Sequence, residues 1–201
     1  MSYDYSGSSQ SHSRTDLPGT GDTYTMSLWF WPDQTGDTSE FMWILRDSIG
    51  LEVDGLIIGD GNDRPRIWRT NDAAATEFEA VSASSHNLGE WNHVTGYTSG
   101  PSSRGVSLNG ETFVTNTATE GQAGGLDSEE FCAFLGGNSV EFDGALAEAA
   151  MWNVVLTQEE SDALNAGVSP LLIRPDALIT YRPLMRDTNC MIRGNAMTAN
   201  G

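Results

Sequence analysis

Carboxylates are the first residues to test for chemistry, because 28 Asp and Glu stand against 10 basic residues in a chain of 201. Hydrolysis of a glycosidic bond needs two of them on one strand face, roughly 5–5.5 Å apart for the retaining route. Glu52-Val53-Asp54 puts two acids on one face and supplies no third. Glu141, Asp143 and Glu148 straddle Gly144 and do not form one row. A solvated acidic edge accounts for both groups, so catalysis is not expected. The turn Asp60-Gly61-Asn62-Asp63 gathers oxygen donors, yet Arg64 and Pro65 break any EF-hand loop. It reads first as a plain acidic turn, with calcium as the ion that Asp60, Asn62 and Asp63 would hold.

The histidines His12, His86 and His93 are dispersed, and no Ser or Cys nucleophile has a recognisable elbow around them. His93 reads as a satisfied scaffold residue. The tryptophans say more. In Arg66-Ile67-Trp68-Arg69, burying Ile67 turns Arg66 and Trp68 outward on one face. An exposed Trp beside an Arg stacks on a sugar ring or anchors a protein interface. The alternative is that Trp68 fills the inner face of a second sheet, and Trp31, near a strand end, has the same two readings. Trp68, Arg66 and Trp31 are therefore the candidate carbohydrate- or partner-binding residues.

Short strands must position them. In residues 24–32, Tyr24, Met26, Leu28 and Phe30 share one strand face, while Thr25, Ser27, Trp29 and Trp31 share the other. Pro32 ends that strand. Apolar runs at 41–45, 50–54 and 56–59 follow, then a turn at 59–65 and a strand through Trp68. Asn109-Gly110 is a hairpin signal between two further strands. Residues 131–137 and 145–154 add two late strands, the first of which buries Cys132 as a small hydrophobe. Thr157 caps one short helix, Glu160 completes a capping box, and Gly167 stops it before Pro170. Ala163 and Leu164 would face the sandwich. Many short strands with turns at close spacing predict an all-β sandwich.

Length suits one domain, and no run nears the roughly 20 apolar residues that span a bilayer. The opening 16 residues lack a basic start and an apolar core, so they read as a flexible arm and not a secretory signal. The formal net charge is -18 with no Lys, which makes nucleic acid and anionic membranes poor partners. Codon bias or adaptation to high salt would each give a Lys-free acidic chain. Residues 1–170 carry 26 acids and 6 Arg, whereas residues 171–201 carry 4 Arg and 2 acids. That end is read either as folded back on its acidic body or as a docking tail, 169–201, working through Arg174, Arg182, Arg186 and Arg193. Cys132 and Cys190 form no metal pattern, and a disulfide between them stays open.

Several of these segments together resemble the laminin-G-like branch of the concanavalin A-like jelly rolls. Residues 24–32 look like its first core strand, with Trp29 at the aromatic position. Glu90-Trp91-Asn92-His93-Val94 is similar to its W-x-H-V strand, and Leu108-Asn109-Gly110 to the hairpin after it. Leu135-Gly136-Gly137, then Phe142-Asp143-Gly144-Ala145-Leu146-Ala147-Glu148, match its late strands, and Met151-Trp152-Asn153 with Leu156-Thr157 its closing strand and helix. The resemblance implies a jelly-roll sandwich over 17–168, with Trp29, Trp91 and Trp152 in the core. It also implies a module that binds carbohydrate or protein, in some members with calcium at the rim. The chain departs from the pattern in lacking the usual D-G-x-x-D opening and in carrying Ala147 where Asp is common. Glucanases of this sandwich show an E-x-D-x-x-E or E-x-D-x-E run, which is not found here. Ala166-Gly167, Pro170 and Arg174-Pro175-Asp176-Ala177-Leu178 resemble the ends of free-standing chains of this kind in tailed viruses. The expected function is thus a non-enzymatic virion accessory protein, capsid-decorating or tail-associated. It would sit as a homo-oligomer on the virion surface among other virion proteins, and would touch host-surface glycans. The alternative is a soluble or surface lectin reading polysaccharide through Trp68 and Arg66, with a glucanase-like hydrolase as a distant third.

Overall fold

The computed structural model describes residues 3–4, 11–15, 17, 21–35, 40–47, 53–59, 61–70, 77–119, 126–132, 142–184 and 198–200. In chain order the strands are β1 (Tyr3–Asp4), β2 (Ser11–Arg14), β3 (Thr23–Pro32), β4 (Glu40–Arg46), β5 (Val53–Ile58), β6 (Pro65–Thr70) and β7 (Glu77–Val81). They continue as β8 (Asn92–Ser99), β9 (Arg104–Leu108), β10 (Val114–Asn116), β11 (Ser128–Phe131), β12 (Gly144–Trp152), β13 (Leu178–Arg182) and β14 (Thr198–Asn200). One helix, α1 (Gln158–Asn165), stands between β12 and β13. The first sheet runs β1-β12-β3-β8-β9-β10, with β13 also paired to β12, and the second runs β14-β2-β11-β4-β5-β6-β7. Among the described residues the strand pairings are antiparallel, for instance β3 with β8 from Thr23↔Ser99 to Phe30↔Asn92. The all-β sandwich predicted from alternation and turn signals, and the jelly roll with one short helix implied by the family resemblance, are the fold.

Alternation builds the core. Tyr24, Met26, Leu28 and Phe30 on β3 all point between the sheets with Val94, Val106, Leu108, Leu146 and Met151. The facing sheet answers with Met42, Trp43, Leu45, Leu56, Ile58, Ile67 and Phe131. Trp43 lies stacked on Phe131, with centroids 5.0 Å apart and planes at 14°. Close sheet approach explains Gly96, where an added Cβ would stand 2.7 Å from the Leu56 methyl. Asn109 and Gly110 both have positive φ, 49° and 79°, as the two-residue turn predicted there requires.

Polar side chains also cross the gap. Arg69 on β6 grips Asp54 on β5, and the Asp54 carboxylate accepts the hydroxyl of Tyr24 from the other sheet. Burial above all, and then Asp54, push the Tyr24 phenol well above its ordinary pKa, so it stays a donor. At one edge Arg182 on β13 binds Glu129 on β11 at 2.6 Å, where Arg14 and the indole of Trp43 also converge. At the other edge the Arg104 guanidinium on β9 covers the Phe78 ring of β7 at 5.5 Å. Asn116 on β10 donates there to the Glu79 carbonyl at 2.6 Å.

Both chain ends differ from expectation. Residues 3–4 and 11–14, within the stretch read as a flexible arm, are strands: β1 lies on β12, and β2 lies between β11 and β14. Neither could be recognised by alternation, because each gains its stability from partners more than a hundred residues away. The tail is likewise no free docking segment. Its β13 pairs with β12, Arg182 is fully buried on Glu129, and Arg174 pairs with Glu160 of the helix. The reading of a tail folded back onto its acidic body describes these residues; Arg186 and Arg193 lie outside the described residues. Cys132 is buried as expected, with its backbone at φ 56°, although the strand before it ends at Phe131. Cys190 and Leu135-Gly136-Gly137 also lie outside the described residues.

The helix follows its sequence signals. Thr157 and Glu160 form the capping box, and Gly167 (φ 86°) donates to Leu164 while Val168 donates to Ala163, a Schellman stop. Leu164 and Ser161 are its buried residues, with Ala163 half-buried, because the helix lies over the serine- and threonine-rich stretch of the first sheet.

Removing the charge from one partner of a buried pair strands the other. Asp54→Asn and Glu129→Gln should each lower stability by about 3–5 kcal/mol in urea denaturation. Arg174→Ala, at a pair whose arginine is half exposed, should cost under about 1 kcal/mol. Equal, small losses at all three sites would show that the inter-sheet pairs do not hold the sheets.

Candidate functional site

The outer face of the first sheet is built by the residues that alternate with the core. From β3 these are Thr25, Ser27, Trp29 and Trp31, and from the neighbouring strand His93 lies opposite Trp29. The helix covers one half of this face. Thr25 Oγ1 donates to the Val154 carbonyl at 2.7 Å and accepts from the Leu156 N–H at 3.0 Å, which ties the segment leading into α1 onto the sheet. Ala150, Trp152, Leu156, Leu164, Leu178 and Tyr181 form the apolar seam beneath that cover.

Tryptophan dominates the other half. Trp31 and Trp91 meet edge to face, with centroids 5.9 Å apart and planes at 71°. Trp31 is half-buried, whereas Trp91 is 38% exposed and Leu88 beside it 51%. Trp29 follows two residues along β3, about 7 Å away by strand rise, and tilts against His93 at 5.0 Å. Ala145 and Ala147 are the β12 partners of Trp31 and Trp29. Their small side chains leave the indoles open on that flank.

Between these rings and the helix end lies a small recess of about 80 Å³, partly open to solvent. Ser27 and His93 line its floor, Trp29 and Glu148 its sides, and Leu164, Gly167, Val168 and Pro170 its far wall. Ser27 Oγ and His93 Nε2 are hydrogen-bonded at 2.8 Å. Burial lowers the His93 pKa to about 3, so the ring is neutral and serves as scaffold. The β12 register slips between Ala147 and Ala150, and Glu148, at φ 53°, sits in the bulge. Its N–H donates to the Pro183 carbonyl at 3.1 Å, and its carboxylate accepts from the Tyr181 hydroxyl at 2.5 Å. Burial, then this bond, raise the Tyr181 pKa far above its ordinary value. Strict alternation would have aimed Glu148 into the core below Leu146; the bulge turns it to the outer face.

The residues singled out from sequence are only partly brought together here. Trp31 belongs to the exposed pair. Trp68 and Arg66 do share the face opposite Ile67, as predicted, but that face is not open. Trp68 is 6% exposed and packs edge to face on Phe41 at 5.7 Å, in a second apolar cluster with Ile44, Val53 and Ile57. Arg66 is buried and holds Glu79. Neither is available for stacking, and Trp68 does not fill the inter-sheet core either. Trp91, expected in the core, is instead the most exposed tryptophan among the described residues. Its parity gave the signal: it stands two residues before His93, on the same outward row. In the turn proposed for calcium, the Asn62 carbonyl accepts from Ser85 at 2.6 Å and the Asp63 carbonyl from His86 at 2.9 Å. These bonds fix the turn from within the protein, and Asp60 lies outside the described residues. Asp54 is engaged by Arg69 and Tyr24, so its carboxylate belongs to the core, while Glu52 and Glu141 lie outside the described residues.

His93 makes stability fall in acid. Its folded pKa, about 3, lies below the ordinary 6.5, so the unfolded chain binds the proton first. The contribution is complete above about pH 6.5 and declines by about 1.4 kcal/mol per unit toward pH 3; burial depresses His86 in the same sense. His93→Gln, which can keep the bond to Ser27, should flatten the stability profile by close to one proton between pH 6 and 4. Parallel profiles for the two proteins would show that His93 does not titrate on unfolding.

Comparison with known proteins places this geometry. The Laminin_G_3 family model, described as the concanavalin A-like lectin/glucanases superfamily, matches residues 4–160. No curated protein matches the chain. Among solved structures, the native heptameric SAP-like pentraxin from Limulus polyphemus superposes with a TM-score of 0.69 at 14% identity, covering 100% of this chain and 91% of the other. A putative carbohydrate-binding protein from Bacteroides ovatus gives 0.66 at 17%, covering 96% and 56%. The enzymatically active domain of tailspike protein 2 from bacteriophage CBA120 gives 0.58 at 14%, covering 83% and 27%. At these identities the likeness is one of fold. The family match spans most of the chain and agrees with the two-sheet topology, so this protein belongs to the Laminin_G_3 family of concanavalin A-like lectin/glucanases.

Proposed function

We propose that this protein is a non-enzymatic, lectin-like module that binds carbohydrate on the open half of its first sheet. The observation that carries this is the Trp31–Trp91 pair, two partly exposed indoles on a face whose other half is already covered. Indole rings offer flat apolar area to the C–H faces of a pyranose at little cost in side-chain entropy. The Trp31–Trp91 and Trp29–His93 positions are about 7 Å apart along the strand, and the recess lined by Ser27 and Glu148 continues them. Solved structures of this fold include a putative carbohydrate-binding protein, which supports the same reading.

A finer reading places the module on a virion, capsid-decorating or tail-associated, as a homo-oligomer presenting this face to host glycans. The fold likeness to a phage tailspike favours it, and a heptameric pentraxin of the same fold favours assembly. Docking would then use a surface other than Arg174 and Arg182, which are engaged within the fold. Mass spectrometry of purified virus particles from the source should find the chain at high copy, and sizing should find it oligomeric. A monomer absent from particles would leave the lectin reading alone.

On a glycan array followed by calorimetry, Trp91→Ala and Trp31→Ala should each weaken binding at least about 10-fold while leaving the fold intact. Trp68→Ala should lower stability by about 3–5 kcal/mol and leave affinity unchanged. Loss of binding in Trp68→Ala alone, in a folded protein, would return the site to the second sheet.

A further inference from the structure

We infer that the open face of the first sheet selects uncharged glycans and refuses carboxylated ones, with Glu148 as the residue that discriminates; this rests on the carbohydrate reading above. The juxtaposition behind it is a carboxylate turned by a β-bulge into a recess that continues the tryptophan row. A non-glycine residue at φ 53° is disfavoured, and bulges that re-aim a side chain cluster at functional sites. Here the bulge lifts Glu148 out of the row that points into the core and sets it beside Trp29 and His93. The Tyr181 hydroxyl takes one carboxylate oxygen and fixes the group in place.

The rest of the recess offers nothing to an anion. Its lining, among the described residues, holds no Arg, and His93 is neutral there. The nearest arginines by chain position are engaged elsewhere: Arg182 is fully buried on Glu129, and Arg174 pairs with Glu160. A sugar hydroxyl donates to a carboxylate, and a vicinal diol does so with two bonds to a fixed acceptor. A uronate or sialate would instead bring a second negative charge to within several ångströms in a partly desolvated site. At such a separation the repulsion amounts to about 100-fold in affinity. The net charge of -18 adds a longer-range repulsion, which salt screens, whereas the contact with Glu148 is screened far less.

The test is calorimetry of the full chain against matched pairs: gluco- and galacto-oligosaccharides, and glucurono- and galacturono-oligosaccharides of the same length. The expected result is binding of at least one neutral series, with its uronide about 100-fold weaker. Raising NaCl to about 1 M should close only a small part of that gap. Glu148→Gln, which keeps volume and an acceptor for Tyr181, should narrow the gap at least about 10-fold while neutral binding stays within a few-fold. Should that variant misfold, Ala147→Arg, at the last paired position before the bulge, keeps Glu148 and puts a cation on the same face, and should bring uronide binding up to the neutral level. Uronides that bind as well as neutral sugars, with both lost in Trp91→Ala, would overturn the inference and leave the tryptophan platform standing. A gap unchanged in Glu148→Gln, or abolished by salt, would also overturn it, by assigning the discrimination to diffuse charge. No binding to any series would overturn the platform and this inference together.

Discussion

Two carboxylates lie where the two sheets face each other, Asp54 near the middle of the sandwich and Glu129 toward one edge, and neither has water to solvate it. An isolated carboxylate there would be prohibitive, so each must be met by a cation of fixed geometry. Arg69 reaches Asp54 with two nitrogens at 2.5 Å, and Arg182 reaches Glu129 with two at 2.6 and 3.0 Å. Lysine offers a point charge and could not make such forked contacts, which gives the Lys-free composition a structural use whatever its origin. The consequence is geometric. Tyr24 on β3 and Arg182 on β13 belong to one sheet while their carboxylates belong to the other, so the sheets cannot slide without stranding a charge. The register of the outer faces follows from that constraint.

With register fixed, the first sheet's outer face is divided by its cover. Thr25 anchors the chain before α1, the capping box starts the helix, and the Schellman turn at Gly167 sends it away before it reaches Trp29. A longer helix would bury the tryptophans. The second sheet closes its own outer face differently, through Phe41, Ile44, Val53, Ile57 and Trp68 in one cluster. A Trp clustered with four other apolar side chains is a packing residue, and a Trp whose partner is one other half-open Trp is open to a ligand. That contrast, not residue type, separates Trp68 from Trp91.

Much of this was legible in the sequence, for local reasons. Alternation in residues 24–32 assigned each β3 side chain to a face; Asn109-Gly110 demanded its turn; Thr157, Glu160 and Gly167 marked both helix ends. What was not legible depends on distant partners. β1, β2 and β14 are two to four residues long and have no pattern of their own; they exist because β12 and β11 present edges to them. The positive end of the chain looked like a docking tail because charge counted along a sequence does not reveal that Glu129 waits fifty residues earlier in the core. Trp68 was placed on the right face and given the wrong exposure, since alternation yields direction and says nothing about what packs above. Glu148 was weighed as a catalytic carboxylate and matched to a family motif, and its turn to the outer face was missed, because a bulge changes parity.

The burial of charge has a last consequence for recognition. Among the described residues, Arg14, Arg66, Arg69, Arg104 and Arg182 are buried, against Glu40, Asp54, Glu129 and Glu130. At least half of the chain's ten cations thus lie inside, and among the described residues only four acids do, which leaves carboxylates dominant on the described surface. Such a surface cannot steer an anionic ligand inward by long-range attraction. The proposed recognition would be short-range: apolar contact on Trp31 and Trp91, and hydroxyl donation to fixed acceptors such as Glu148. A neutral polyol meets all of those terms without an electrostatic cost. On the proposed reading, the same arginine placement that locks the sheets together would also narrow the chemistry that the open face accepts.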